Sequence, residues 1–286
     1  MFIVRFIGGL GNQMFQYSFY KYLESRGVSV KADVNDFKNY KLHNGFELER
    51  VFNIRLNKAS YNEINKYKDS KLNLFYRIRR KLFGQKKSHQ YQSSFSFQTL
   101  DEKLNMYLDG YWQAEKFISP NIKSIQQNFI FKSLPSIINA EIIKKMEATN
   151  SISIHVRRGD YLDLKDVYSE CTALYYQKAI AFFEKQYKHS NFYIFSNDIN
   201  WCKENLIFKN STSNFVVHNS GLNSFEDIRL MNECKHNIIA NSSFSWWGAF
   251  LNRRENKEVI CPEFWFVDIK KNKDVFIPRE WKIISN

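Results

Sequence analysis

The chain has 286 residues, a formal net charge of +13 and an aromatic content of 17%. That length accommodates two lobes with substantial cores, and the presence of only 10 Gly and 4 Pro excludes a fibrous or low-complexity protein. Excess positive charge favours anionic partners, and charge alone does not choose among nucleic acid, an anionic membrane and a small anionic ligand.

The cysteines are far apart in the sequence and form no CxxC pair: they are Cys171, Cys202, Cys234 and Cys261. This spacing argues against a disulfide framework and a zinc site, and it is typical of a reducing compartment. The apolar stretch at the N-terminus is interrupted by Arg5 and is too short for the hydrophobic region of a signal peptide. No other stretch has the 18 consecutive apolar residues of a membrane span. We therefore expect a cytoplasmic protein, either soluble or peripheral at the inner membrane face.

The N-terminal half predicts a β-loop-α-β opening and then a basic arm. Strand, helix and strand are predicted in that order at residues 2–7, 13–26 and 28–33. Residues 66–89 hold nine Lys or Arg against one Asp, interleaved with apolar residues, which indicates a helical arm or insertion. Residues 103–112 predict a strand that returns to the core, and Ser119-Pro120 predicts a helix start.

The C-terminal half predicts a regular alternation of strands and helices. Strands are predicted at 152–156, 192–196, 214–218, 236–240 and 257–261, and helices at 173–188, 199–205, 224–233 and 243–251. Such alternation predicts a parallel sheet with helices on both faces. Ligands bind at the carboxyl ends of the strands in these sheets, which selects the loops after His155, Phe195 and Ala240.

The first of these loops, His155-Val156-Arg157-Arg158-Gly159-Asp160-Tyr161, places two adjacent arginines at a strand end. Arginine binds phosphate through a planar pair of N–H donors, and Gly159 permits close backbone approach. We interpret Arg157 and Arg158 as an anion site, the alternative being a surface ion pair. His155 is a candidate catalytic residue or a buried, satisfied histidine.

Three further stretches place small polar residues where a helix begins. Asn241-Ser242-Ser243 is suited to binding an anion or to ordinary capping of a helix. Ser196-Asn197-Asp198 is suited to a ribose, a base edge, the neighbouring arginines or a helix cap. The stretch Gly8-Gly9-Leu10-Gly11-Asn12-Gln13 is a glycine turn before a predicted helix. The side chains of Asn12 and Gln13 lie at the N-terminal end of that helix, where they can form hydrogen bonds with a ligand.

Five stretches together resemble the bacterial α-1,2-fucosyltransferase family, glycosyltransferase family 11, which also holds the animal blood-group H enzymes. They are G-G-L-G-N-Q-M-F-Q-Y at 8–17, Y-L-D-G-Y-W-Q at 107–113, H-V-R-R-G-D-Y at 155–161, F-S-N-D at 195–198 and N-S-S-F-S-W-W-G-A at 241–249. They span nearly the whole chain in the expected order. The basic arm at 66–89 lies outside these shared motifs.

The resemblance implies an α/β, GT-B-like fold of two facing Rossmann-type lobes with parallel sheets. Residues 1–150 would form the acceptor lobe and residues 151–286 the lobe that binds GDP-fucose. It implies donor contacts at Gly11 and Asn12 and in the two polar loops after strands, and acceptor contacts at Gln13 and Trp112. It also implies inversion at the anomeric carbon, with catalytic roles for Arg157, Arg158, Asp160 and His155.

The expected reaction moves L-fucose from GDP-fucose to the 2-hydroxyl of a galactose in a surface or lipid-linked glycan of the O-antigen or capsule type. A fucosyltransferase of another linkage is the main alternative. A non-catalytic glycan-binding or nucleic-acid-binding protein is a distant one, since the positive charge is concentrated at 66–89 and no RNA-binding motif occurs. Asp160 is the candidate general base, unless it orients the arginines, and Asp163 is the second candidate.

Metal-binding motifs are missing from the sequence. No two Asp are spaced i, i+2, so the DxD of the other large glycosyltransferase architecture does not occur. The six histidines show no HxH or HxxxH spacing. We therefore expect a reaction that uses neither a metal nor a cofactor.

The basic arm at 66–89 has two interpretations. In one helical register, Leu74, Phe75, Ile78 and Leu82 share a face, and Lys or Arg fill much of the rest. Such a helix can lie on an anionic membrane, or it can dock its apolar face on the protein and leave its charges solvated.

Overall fold

The computed structural model describes residues 1–39, 43–69, 74–92, 104–273 and 275–286, without the side chains of residues 39, 74–76 and 160. It divides into two compact units, Met1–Lys132 and Ser133–Asn286. Each unit has one parallel sheet, which confirms the predicted α/β class. Among the described helices, none has the length and apolar content needed to cross a bilayer.

The first unit is built on a four-stranded parallel sheet of order β2-β1-β4-β3. Its strands are β1 Phe2–Arg5, β2 Val30–Asp33, β3 His89–Tyr91 and β4 Met106–Asp109. Its helices are α1 Leu10–Ser25, α2 Leu48–Val51, α3 Tyr61–Tyr67, α4 Leu74–Phe83 and α5 Ile122–Asn128. Strand β1 ends before the predicted limit because the N–H of Ile7 donates to the side chain of Gln16, 3.0 Å away, rather than to a neighbouring strand.

Helix α1 begins directly after a glycine turn and is buried along most of its length. Gly8 has φ +80°, and a Cβ at this position would lie 2.6 Å from Nδ2 of Asn12. The positive φ therefore favours glycine, and a side chain here would also displace the amide group of Asn12. Met14, Phe19 and Leu23 are fully buried although they lie on different sides of the helix, so α1 is enclosed within the core of the unit.

The second unit is built on a six-stranded parallel sheet of order β10-β9-β8-β5-β6-β7. Its strands are β5 Asn150–Val156, β6 Ser190–Ser196, β7 Thr212–Val216, β8 His236–Ile238, β9 Val259–Pro262 and β10 Lys282–Ile284. Its helices are α6 Ile137–Ala148, α7 Gly159–Asp163, α8 Ala173–Gln186, α9 Ile199–Asn205, α10 Glu226–Glu233, α11 Ser243–Leu251 and α12 Ile269–Asn272. Counted from β5, this is the Rossmann order 3-2-1-4-5-6, whose direction reverses between β5 and β8.

The boundary between the units lies earlier than the predicted one at residues 150 and 151, because α6 belongs to the second unit. Asn139 on α6 is fully buried, and its Oδ1 lies 2.6 Å from Nε2 of His218. Its Nδ2 donates to Glu226 on α10 at 3.3 Å. Met146 is also fully buried and belongs to a core cluster of this unit. Helix α6 is thus fastened to the sheet that follows it.

The basic arm contains helix α4, as predicted, although residues 70–73 lie outside the described part. The carboxylate of Asp69 is buried and pairs with Arg79 and, at 3.4 Å, with Arg80. It also accepts the backbone N–H of Lys86 at 2.7 Å. The ammonium of Lys86 donates to the carbonyl oxygens of three residues at the end of α3, namely Asn65, Lys66 and Lys68. One side of the arm is therefore fastened to the first unit.

Candidate functional site

The candidate site lies at the carboxyl edge of the second sheet, where the loops after β5, β6 and β8 meet. The backbone N–H of Arg158, after β5, donates to Oδ1 of Asn197, after β6, at 3.0 Å. The hydroxyl of Tyr161 donates to the carbonyl oxygen of Asn241, after β8, at 3.3 Å. The three loops selected from the sequence are thus joined around β5, at the point where the strand order reverses.

Arg158 is held by acidic and aromatic partners. Its Nη1 donates to Glu170 at 2.6 Å, and its Nε lies 3.6 Å from a carboxylate oxygen of Asp198. Its guanidinium carbon lies 4.3 Å from the centre of the Trp201 ring. The side chain is only 14% exposed. These contacts fix the loop after β5 and leave Arg158 largely engaged with the protein itself.

Arg157 has a different environment. Its guanidinium carbon lies 5.5 Å from the centre of the Tyr161 ring, which stacks on Tyr168 at 4.2 Å with nearly parallel planes. Because the hydroxyl of Tyr161 is bonded to Asn241, this aromatic support is tied to the end of β8. An aromatic face helps to position a guanidinium. Contact of Arg157 with an anionic ligand stays a prediction.

Gly159 is the first residue of helix α7 and follows the two arginines directly. A Cβ at this position would lie 2.2 Å from Nδ2 of Asn197, so a side chain here would displace that amide group. Asn197 uses its Oδ1 to hold the backbone of Arg158. The glycine thus permits the contact between the loops after β5 and β6.

The Ser196-Asn197-Asp198 stretch forms a helix cap and an anchor for arginine, two of the four uses expected of it. Oδ1 of Asp198 accepts the N–H of Trp201 at 3.1 Å at the start of α9. Ser196 Oγ accepts the N–H of Asp198 at 2.9 Å. Contacts of these residues with a bound nucleotide stay a prediction.

The Asn241-Ser242-Ser243 stretch is also largely engaged internally. Asn241 is buried and donates to the carbonyl oxygens of Ser169 and Trp265, at 2.6 and 3.0 Å. Ser242 caps α11 by accepting the N–H of Phe244. Ser243 is half-buried as the first residue of α11. Of the three, Ser243 is the side chain best placed to reach a ligand, and donor contact stays a prediction.

His155 is buried at the end of β5, and its ring lies 5.8 Å from that of Phe244. Burial, with the nearby charge of Arg157, lowers its pKa to about 3. The imidazole is therefore neutral at physiological pH. A base of such low pKa is poorly matched to accepting a proton near neutrality. The Nδ1 atom has no hydrogen-bond partner among the described residues, and a catalytic role for His155 stays a prediction.

In the first unit, the side chains expected to contact the acceptor are buried. Gln13 is fully buried, donates to the carbonyl oxygens of Gly8 and Gly45, and accepts the N–H of Glu47. Trp112 is 1% exposed and stacks on Phe19 at 4.1 Å. Both side chains support the loops and core around α1. Their contact with an acceptor stays a prediction.

The donor residues expected in the first unit have mixed positions. Gly11 is buried within α1. Asn12 is half-buried, and its Oδ1 accepts a bond from Gln113 at 2.8 Å, which joins two of the motifs noted in the sequence. Their part in donor binding stays a prediction.

The two candidate bases both belong to helix α7. The side chain of Asp160 lies outside the described residues, and Asp163 is exposed at the last position of α7. Among the described side chains, no group of three His, Cys, Asp or Glu is arranged to hold a metal ion. Independence from metal and cofactor stays a prediction.

Comparison with known proteins gives concordant matches. The family model for glycosyl transferase family 11 matches residues 1–285. The chain is 33% identical over 289 residues to an Escherichia coli alpha-1,2-colitosyltransferase, covering 98% of this chain and 97% of that protein. It is 32% identical over 292 residues to the Escherichia coli O-antigen biosynthesis glycosyltransferase WbnK, covering 93% and 95%.

A solved structure gives a likeness of fold. Fucosyltransferase NodZ from Bradyrhizobium has a TM-score of 0.52 at 12% identity, covering 86% of this chain and 92% of that one. The likeness confirms the predicted GT-B-like class and, at this identity, carries nothing beyond the fold.

Proposed function

The chain belongs to glycosyl transferase family 11, and from that membership we propose that it is an inverting α-1,2-fucosyltransferase. The donor is GDP-fucose, and the acceptor is the 2-hydroxyl of a galactose in a surface glycan of the O-antigen or capsule type. The observation that carries the proposal is the position of Arg157, at the carboxyl end of β5 beside β8. There a Rossmann-type sheet binds its ligand.

The proposed chemistry is a displacement at the anomeric carbon of fucose. The acceptor oxygen bonds to that carbon while the bond to the β-phosphate oxygen breaks, and GDP leaves. Negative charge grows on the departing diphosphate, and Arg157 stabilises it with its paired N–H donors. The positive end of α11, at Ser243, adds to this stabilisation. The acceptor proton passes to a carboxylate, for which Asp160 is the first candidate and Asp163 the second.

Different observations support the proposed linkage and the proposed acceptor. The name of the colitosyltransferase relative specifies an α-1,2 linkage. A galactose acceptor is the expectation raised by the motifs shared with the blood-group H enzymes. The name of the second relative supports an O-antigen product.

A second candidate donor is GDP-colitose, which the identity to the colitosyltransferase favours. Colitose is L-fucose without its 3-hydroxyl group. Both donors therefore release the same leaving group, GDP, whose negative charge Arg157 would stabilise in either reaction. Discrimination between them depends on whether a side chain bonds the 3-hydroxyl, because a site built for a hydroxyl rejects the analogue that lacks it.

The experiment supplies GDP-fucose and GDP-colitose separately, each with a galactose-terminated oligosaccharide. Products are distinguished by mass, since the colitosyl product has one oxygen atom fewer, and linkage is assigned by NMR. We expect a fucosyl product linked α-1,2 to galactose. A product from GDP-colitose alone would establish the second candidate. A linkage to another hydroxyl would contradict the proposed regiochemistry.

A further inference from the structure

Helix α4 presents an outward face on which basic and apolar side chains adjoin. Arg77 and Lys81 are exposed and one helical turn apart. Ile78 and Leu82 form the neighbouring row and are 50% and 70% exposed, and Phe83, at the end of the helix, is 78% exposed. Large apolar side chains clustered in this way mark a surface that meets a partner.

The opposite side of α4 is fastened to the protein, which fixes the direction of the outward face. Arg79 and Arg80 both bind the buried carboxylate of Asp69. Successive positions on an α-helix differ by about 100°, so the rows that start at Arg77 and Ile78 point away from these two arginines. The basic residues of the arm therefore have two separate uses, one structural and one at the surface.

We propose that the face formed by Arg77, Ile78, Lys81 and Leu82 docks on an anionic lipid bilayer. Residues 77–89 contain six Lys or Arg and no Asp or Glu, so the charge of this segment complements an anionic surface. Basic side chains hold such a helix near the headgroups, and the adjoining apolar side chains enter the boundary with the acyl chains. A nucleic-acid surface would use the cations and leave the two apolar side chains in water.

The test is co-sedimentation of the full chain with phosphatidylcholine vesicles that contain phosphatidylglycerol, at low salt. We expect the wild type to pellet with these vesicles and to stay in solution with phosphatidylcholine alone. The double variant R77Q/K81Q should partition about 30-fold more weakly, which corresponds to about 1 kcal/mol for each basic residue. The double variant I78S/L82S should also lose binding while keeping the wild-type thermal unfolding curve, because both side chains are exposed.

Two control variants distinguish binding by this face from non-specific effects of net charge and of exposed apolar side chains. K144Q/K145Q makes the same change of charge on exposed residues of α6. L134S/I137S removes two apolar side chains that are 90% and 81% exposed elsewhere. We expect both controls to pellet as the wild type does. A wild type that does not pellet, variants of α4 that pellet like the controls, or controls that lose binding equally would each overturn the proposal.

Discussion

At the scale of single residues, Arg157 and Arg158 are adjacent in the chain but differ in their surroundings. Arg158 is bound by Glu170 and lies close to Asp198 and Trp201, so much of its charge is balanced within the protein. Arg157 lies against the ring of Tyr161, which helps to position its guanidinium group. The sequence identified the pair but gave no means of assigning these different roles.

The first prediction concerns Arg157. Arg157→Ala should lower the rate of fucosyl transfer about 10²–10³-fold, the usual cost of losing one stabiliser of charge in the transition state. Arg157→Lys should restore little, because an ammonium group does not reproduce the paired donors of a guanidinium. The measurement is the initial rate with GDP-fucose, together with circular dichroism to confirm that each variant is folded.

The matched control is Arg279→Ala, which removes an exposed arginine from the same unit and should leave the rate unchanged. An Arg157→Ala protein that keeps more than about a tenth of the wild-type rate would be incompatible with the proposed role.

The second prediction concerns the pH dependence of stability through Asp227 on α10. Burial raises its pKa to about 7, although a bond from Asn219 acts to lower it. The folded state then holds this proton more tightly than the unfolded state, so its contribution to stability is lost as pH rises from about 4 to about 7. Asp227→Asn carries no charge at any pH. Its Tm relative to the wild type should therefore rise from about pH 5 to about pH 8.

A suitable control is Asp166→Asn, which changes an exposed carboxyl group and should shift Tm little at any pH. If the wild type and Asp227→Asn give parallel curves of Tm against pH, the raised pKa of Asp227 is wrong.

At the scale of secondary-structure elements, regular alternation made much of the second unit predictable. Helices α9 and α11 have the predicted bounds, and the five predicted strands match β5 to β9 within about two residues, the usual uncertainty of element ends. Helix α6 was not predicted, because Asn139 is buried while Ile137 and Ile138 are exposed, which inverts the usual pattern. Helix α3 was also missed, although Ser60 and Glu63 form both bonds of a capping box.

The third prediction concerns the attachment of helix α4. Asp69→Asn removes the buried carboxylate that pairs with Arg79 and Arg80, and should cost about 1–3 kcal/mol of local stability. Trypsin should then cut within residues 77–87 faster than in the wild type, because cleavage follows local opening of the arm. The exposed Glu255→Gln serves as the control. Equal cleavage rates in Asp69→Asn and the wild type would show that this carboxylate does not hold the arm.

At the scale of the whole molecule, the two parallel sheets and the edge that carries the site were predictable from motif order. The partners of Arg158 were not, because Glu170 and Trp201 lie 12 and 43 positions away and carry no local signature. The burial of Gln13 and Trp112 could not be predicted from the sequence either, because polar and aromatic residues within a motif can serve packing as well as ligand binding. The sequence thus selected the three loops that meet at the candidate site, whereas the bonds within it depend on the fold.

The fourth prediction tests the central claim, which is transfer of fucose from GDP-fucose with charge stabilisation by the protein rather than by a metal. The measurement is the initial rate of fucosylation of a galactose-terminated oligosaccharide in excess EDTA, and again after Mg²⁺ or Mn²⁺ is added in excess over EDTA. With Arg157 as the cation, we expect the same rate in both conditions. Activity that disappears in EDTA and returns with either metal, or no transfer of fucose in either condition, would contradict the account.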